Sequence, residues 1–186
     1  MDKERKGNRV NNGLLDARTI FLCEGINQEV AKSVSARLLV LAQESDDDIF
    51  MFINSQGGHV EAGDTIHDMI QFVKPTVKVI GTGFVASAGT HIFMAAESQD
   101  RFCLPNTRFM IHQPSGGAQG QASDILIQRD QIVRMRERLA VIISERTGMA
   151  IEKVREDIER DTWMTADEAI QYGLVSKIIK SSADIA

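Results

Sequence analysis

The segment VKVIGTGFVASAGTHIF, residues 77–93, changes character at Ser87: an apolar run punctuated by Gly81 and Gly83 gives way to small and apolar residues. The first half reads as a strand and the second as a buried helix, which places Ser87 at a helix N-terminus. Amide groups without intrahelical partners and the positive end of the helix dipole gather at such a point. An oxyanion developing beside Ser87 would find donors already in place. The competing reading is that the hydroxyl simply caps the helix, a role serine fills well.

The same strand-turn-helix unit recurs on both sides. Upstream, TIFLCEG (19–25) reads as a strand, and Asn27 as the cap of a helix carrying Val30, Val34, Leu38 and Leu41 on one face. DIFMFINS (48–55) reads as a buried strand and QGG (56–58) as a turn. HVEAGDTIHDMIQFV (59–73) is then a helix stacking Val60, Gly63, Ile66 and Ile70 before Pro75. Downstream, RFMIHQ (108–113) is a strand stopped by Pro114. A long helix from about Ser123 to Thr147 turns Ile125, Ile132, Met135, Leu139 and Ile142 inward and stops at Gly148. A short helix, a second helix opened by the Thr165 to Glu168 capping-box pattern and a final strand VSKII (175–179) complete an α/β chain. No linker or low-complexity segment divides it.

Composition sets ordinary bounds. The chain has 186 residues, 43% of them hydrophobic, enough for one domain with a sizeable core. A net charge of −5, with no basic face interleaved with aromatics, argues against nucleic-acid binding. The apolar runs fall short of the roughly 20 residues that span a bilayer, and the polar start has no signal-peptide core, so no membrane role and a cytoplasmic location are expected. Cys23 and Cys103 sit in strand-like apolar contexts without metal-ligand spacing and read as buried free thiols, with no metal site.

Two further residues make Ser87 more than a helix cap. His112 ends a strand beside the flexible SGGAQGQ segment, whereas His59, His67 and His91 fall inside helical patterns as surface or filler residues. Asp161 lies just past the helix IEKVREDIER and supplies the carboxylate that an imidazole base needs, although Asp157 and Glu159 are equally available by sequence. Gly57 and Gly58 can present amide groups without a Cβ in the way and, with the Ala88 N–H, can form an oxyanion hole. Ser87 lacks the preceding glycine of the G-x-S-x-G elbow, which sets the chain apart from the α/β-hydrolases.

Four motifs in order, FINSQGGHVEAGDTIHDMIQFVKP, the ASAG around Ser87, LPNTRFMIHQPSGGAQGQASDI and RDTWMTADEAIQYGLV, strongly resemble the Clp protease proteolytic subunit from about Leu15 to Ile179. The resemblance implies a crotonase-like α/β fold with a protruding handle helix, and an ATP-dependent serine endopeptidase acting on unfolded polypeptides. By motif match Ser87 is the nucleophile, His112 the base and Asp161 the orienting carboxylate. Gly58 and Ala88 supply the oxyanion N–H groups. An extended substrate lies beside Gly57, Ser115, Gly116 and Gly117. Residues 1–18 correspond to an axial segment, and 19–186 to a single peptidase domain with its handle at about 119–147.

The family further implies two stacked seven-membered rings, with Arg160 and Gln121 at the ring contact. A hexameric Clp-type AAA+ unfoldase consumes the ATP, no cofactor is needed in this subunit, and the unfoldase docks at Phe50, Phe52, Phe72, Ile80, Phe102 and Ile179. This chain departs from the family pattern at several points. Gln56 replaces a proline in the oxyanion turn, Phe84, Thr90 and His91 stand near the nucleophile, Thr82 replaces a larger apolar residue, Leu126 replaces a handle glutamate, and the first 18 residues match poorly. These departures suggest a paralogue, weakly active or a scaffold alone, working in mixed rings with a second subunit of the family. A crotonase-type acyl-CoA enzyme is the alternative of a different class; it would share the fold but not require Ser87, His112 and Asp161 together.

Overall fold

The computed structural model describes residue 10, residues 12–117 and residues 119–185, so most of the expected axial segment lies outside the described residues. Its framework is a seven-stranded sheet. Strands β1 (Thr19–Leu22), β2 (Ile49–Ser55), β3 (Val77–Ala86), β4 (Arg101–Cys103) and β7 (Lys177–Ile178) run parallel in that order. Strand β5 (Arg108–Ile111) pairs parallel with the far half of β3, and β6 (Thr162–Thr165) pairs antiparallel with β5.

The two halves of β3 have different neighbours because the strand bends. Register with β2 shifts between Ile53 and Ser55, and Gly83 sits at the shift with φ +61°. A Cβ at Gly83 would lie 2.9 Å from Asn54 Oδ1, the atom that accepts from the Phe84 amide. Only glycine adopts this conformation cheaply, so Gly83 lets residues 79–81 pair with β4 while residues 84–86 turn toward β5. The bend carries Ser87 to the mouth of β5.

Helix α1 (Gln28–Glu44) starts where Asn27 Oδ1 accepts from the Val30 amide at 2.9 Å, and buries Val30, Ala31, Val34, Leu38 and Leu41. Helix α2 (Val60–Phe72) buries Ala62, Gly63, Ile66, His67 and Ile70. The short α3 (Ala88–Phe93) is buried throughout and packs against α2 at Gly63, where a Cβ would come within 3.2 Å of the Ala88 methyl. Alternate residues of β2, Ile49, Met51, Ile53 and Ser55, face these helices; Phe50, Phe52 and Asn54 face the other way.

Helix α4 (Ala122–Thr147) has the expected length and ends at Gly148 in the left-handed conformation, φ 77°. Its inward face differs from the sequence reading. Only Ala140 and Ile143 are buried, Met135, Leu139 and Ile142 are half-buried, and Ile125 is 41% exposed. The periodicity of the first three turns therefore marks a helix face that the protomer leaves uncovered. Helix α5 (Ile151–Asp157) follows, then β6, a strand the sequence does not announce because four residues hold too little alternation to register. Helix α6 (Ala166–Gln171) opens on the expected capping box. The final strand shrinks to two residues. Cys103 is buried as expected, but Cys23 is exposed, one residue past the end of β1.

Candidate active site

Ser87 occupies the N-cap position of α3, but its hydroxyl caps nothing. The backbone there has φ 57° and ψ −124°, one of two positive φ values outside glycine among the described residues. Its amide donates to Met110 O at 3.0 Å, and its carbonyl accepts from His91 N at 3.1 Å. Both main-chain groups are thus fixed by β5 and α3, and the side chain turns outward to lie 2.8 Å from His112 Nε2. A strained turn of this kind costs on the order of 1–3 kcal/mol and is tolerated where the surroundings over-determine it.

His112 and Asp161 meet because of strand register. The antiparallel pair Ile111–Thr162 ends one ladder, which sets residues 112 and 161 side by side just beyond it. Gln113 ties the loop down, its amide donating to Ile158 O at 2.6 Å and its side chain to Glu159 O at 2.9 Å. His112 Nδ1 then lies 2.9 Å from Asp161 Oδ1. The carboxylate accepts the Nδ1 proton and leaves Nε2 to accept from the serine hydroxyl, a tautomer assigned from these partners. Asp157 is occupied by Lys153 and by the Tyr172 hydroxyl at 3.0 Å, and Glu159 by Arg136 at 2.6 Å. Of the three carboxylates that the sequence left open, the fold brings Asp161 to the imidazole.

The turn QGG passes directly behind the serine. A Cβ on Gly57 would lie 2.6 Å from Ser87 Cβ, and one on Gly58 would lie 2.2 Å from Ile26 O. Residues 57 and 59 form the bridge to Ile26 through Gly57 O and His59 N, both at 2.9 Å, so the Gly58 amide points to the opposite side. Ala88 is the first residue of α3, where the amide has no intrahelical acceptor. Gly57 was expected to bind substrate and does not qualify. It is buried, its amide donates to Ser55 Oγ at 3.1 Å and its carbonyl is used by Ile26. Ser55 Oγ in turn donates to Glu24 O at 2.6 Å, and this buried relay stiffens the turn that Gln56, in place of proline, leaves less restricted.

Ser115, Gly116 and Gly117 are exposed and line one side of an open groove of about 750 Å³, with Gly58, His59 and the middle of α4 opposite. A smaller pocket opens from it beside Ser87 and His112, between Val60, Met135, Leu139 and Ile142, and reaches Asp64, His91 and Arg138. Of these three, Asp64 and Arg138 were missed by sequence, whereas His91 was placed near Ser87 without a partner. His91, read as filler, is 5% exposed; its Nε2 lies 3.0 Å from Asp64 Oδ1, and Asp64 Oδ2 accepts from Arg138 at 2.5 Å. Phe84 does not reach the pocket; it lies 6.4 Å from the Trp163 ring. Thr90 is buried, with its hydroxyl 2.8 Å from both Val85 O and Met110 O.

The remaining expected positions divide. Arg160 and Gln121 are exposed, and Arg160 has no hydrogen-bond or ionic partner among the described residues. Phe50, Phe52 and Phe102 are half-buried on the outer face of the sheet, where Phe21, not anticipated, stacks on Phe52 at 4.9 Å. Ile80 and Ile179 are 0% and 3% exposed, so a partner cannot touch them in this conformation. Phe72 is 75% exposed but belongs to α2, not to that strand face. No cluster of three or more His, Cys, Asp or Glu side chains suited to a metal ion occurs among the described residues, and no described helix is long and apolar enough to cross a membrane.

A hydroxyl, an imidazole and a carboxylate in hydrogen-bonded series at the edge of a largely parallel sheet, backed by a glycine turn and a helix N-terminus, form a site of serine-hydrolase geometry. Residues 2–182 match the family model described as Clp protease. Over 179 residues, 96% of this chain and 92% of the relative, the sequence is 54% identical to "ATP-dependent Clp protease proteolytic subunit 3" of Rhizobium etli. It is 50% identical to "ATP-dependent Clp protease proteolytic subunit 2" of Pseudomonas aeruginosa, with 99% of this chain and 96% of the relative covered. Solved structures of ClpP1 from Listeria monocytogenes, a point mutant and the parent, superpose with TM-scores of 0.89 and 0.86 at 52% and 51% identity; 95% of this chain and 99% of theirs are covered. The chain belongs to the Clp protease family, and its fold is that of ClpP.

Proposed function

We propose that this chain is a serine endopeptidase that hydrolyses peptide bonds of unfolded polypeptides, with Ser87 as nucleophile, His112 as general base and Asp161 as the orienting carboxylate. The observation that carries the reading is the unbroken series Ser87 Oγ to His112 Nε2 at 2.8 Å and His112 Nδ1 to Asp161 Oδ1 at 2.9 Å. His112 takes the serine proton as Oγ attacks the peptide carbonyl. The Gly58 and Ala88 amides receive the oxyanion, and Asp161 stabilises the imidazolium without becoming protonated. His112 then delivers the proton to the leaving amine. Water, activated by the same imidazole, hydrolyses the ester.

The strand-like groove beside Ser115 to Gly117 suits an extended peptide held mainly through its main chain. The subunit itself uses no cofactor, and ATP is consumed by a Clp-type AAA+ unfoldase that delivers the polypeptide in the cytoplasm. Two stacked heptameric rings enclose the sites, with Arg160 and Gln121 at the contact between rings. The wording "ATP-dependent" and "proteolytic subunit" in the relatives' names supports this assignment. The numbering of those relatives as subunits 2 and 3 favours a second reading, in which this subunit works in mixed rings with another proteolytic subunit.

A fluorophosphonate probe with mass-spectrometric mapping of the adduct tests both readings, with Ser87→Ala as control and ring size measured by native mass spectrometry. Labelling confined to Ser87 in a double ring is the expected result. Labelling that begins only when a second proteolytic subunit is added selects the mixed ring. Absence of label at Ser87 in both preparations rejects the peptidase.

A further inference from the structure

The pocket beside Ser87 begins between Val60, Met135, Leu139 and Ile142 and ends on Asp64, His91 and Arg138. A slot that only had to accommodate apolar side chains would gain nothing from three ionisable groups at its end. Placing charge in a half-enclosed apolar site costs free energy unless each group is partnered. The hydrogen bonds determine what this end presents to an incoming side chain.

Asp64 is already committed. Its side chain is 19% exposed, Oδ1 meets His91 Nε2 at 3.0 Å and Oδ2 accepts from Arg138. Burial pushes its carboxyl up, but the hydrogen bonds from His91 and Arg138 outweigh that and hold it below the usual carboxylate range. Arg138 is the opposite case. Its guanidinium gives one N–H to Asp64, and its other N–H groups have no partner among the described residues. The side chain is half-exposed where the pocket meets the groove. His91 Nδ1 also lacks a partner but is buried out of reach, so the unsatisfied groups that a ligand can meet at this end are the Arg138 donors. The passage between the apolar walls is narrow, with about 30 Å³ of free space.

We infer that the pocket selects a slender, unbranched side chain ending in a hydrogen-bond acceptor, glutamine or glutamate, at the residue whose carbonyl Ser87 attacks, with Arg138 as the specificity-determining residue. The inference rests on the peptidase reading of Ser87. The methylenes of such a side chain lie along Val60, Met135 and Leu139, and its terminal oxygen accepts from the free edge of the guanidinium. A lysine or arginine side chain meets a like charge and finds the Asp64 carboxylate at the pocket end neutralised. Arg138 thus masks Asp64, and removing it uncovers Oδ2 and reverses the sign of the pocket end.

Peptidyl diphenyl phosphonates, identical except for Gln, Glu, Met or Lys at the reacting position, test this on the assembled protein, with a second proteolytic subunit present if assembly requires it. The readout is the rate of adduct formation at Ser87. Gln and Glu probes are expected to exceed Met by about tenfold, the gain from one charge-assisted hydrogen bond at a partly exposed site. In Arg138→Met the Gln-to-Met ratio falls to about one and the Lys-to-Met ratio rises. Arg138→Lys retains the preference for Glu over Met, which separates charge recognition from a change in fold. A parent protein that reacts with Met as fast as with Gln and Glu, or ratios that Arg138→Met leaves unchanged, overturns the inference. A small fluorophosphonate without a peptide is run alongside. Labelling of Ser87 by that reagent without discrimination among the peptides overturns the specificity alone, and absence of label from every reagent overturns the peptidase reading as well.

Discussion

The imidazoles of His67 and His91 lie as parallel plates, with 4.4 Å between ring centroids and 2° between planes. One comes from α2 and the other from α3, the helix that starts at Ser87, so the stack is part of the contact holding that helix in place. His67 is 6% exposed; it faces His91 and Asp68, with Arg146 also acting on it, and its Nε2 has no partner. Burial, reinforced by the neighbouring His91, pushes the His67 pKa down to about 4.

Stability should therefore fall in acid for a reason located at this stack. His67 takes up its proton near pH 6.5 in the unfolded chain and only near pH 4 in the folded one. Between those values the unfolded state binds more protons, so stability is lost as pH falls through that window. The loss approaches roughly 3 kcal/mol at most, since one pKa unit is worth about 1.4 kcal/mol. His67→Phe keeps an aromatic ring in the stack without a titrating group. Thermal melts of parent and variant should diverge between pH 7 and pH 4.5, and a difference in Tm that stays constant over that range would falsify the assignment.

Asp161→Asn should leave the fold unchanged and lower peptidase kcat by about 10⁴-fold, because an amide can donate to Nδ1 and favour the wrong imidazole tautomer. The side chain is 61% exposed in the protomer, so little packing is at stake. Steady-state kinetics paired with a melting curve separate the two effects. A variant with near-parental kcat would remove Asp161 from the mechanism.

Gly58→Ala should be costly twice. At φ 151° a Cβ would sit 2.2 Å from Ile26 O, a main-chain atom that cannot yield without breaking the Ile26 bridge. A loss of roughly 3 kcal/mol is expected from the strain, together with at least about 10²-fold in acylation rate from a displaced oxyanion donor. Urea denaturation and the fluorophosphonate labelling rate measure these independently. Unchanged labelling in a destabilised variant would show that the Gly58 amide is not part of the oxyanion site.

Much of this arrangement was legible in sequence because it depends on local signals. Asn27 before an apolar 3.6-residue stripe, the Thr165 to Glu168 box and Gly148 after a long helix are each readable from a few neighbouring residues, and each stands where expected. Ser87, His112 and the glycine turn were legible for the same reason: each sits at a strand end marked by Gly or Pro. The choice of Asp161 over Asp157 and Glu159 was not, because it depends on the register of β5 against β6, two strands of four residues separated by two helices. The Arg138–Asp64–His91 set was hidden more deeply. Its members come from three helices, and none breaks the pattern of its own helix enough to announce itself. The inward face assigned to α4 failed because a repeating apolar face does not say whether its partner is in the same chain.

The backbone at Ser87 carries a consequence for mutational drift. At φ 57° and ψ −124° the position would be occupied with least strain by glycine, so the hydroxyl is maintained there against the preference of the fold. A population of such sequences relieved of selection for activity would lose this serine early, since its replacement by glycine improves folding instead of harming it. An intact Ser87 in so strained a place is what continuing selection for its hydroxyl would leave, and sequences that kept the fold but exchanged the residue for glycine would be those whose subunit had become a passive member of its assembly.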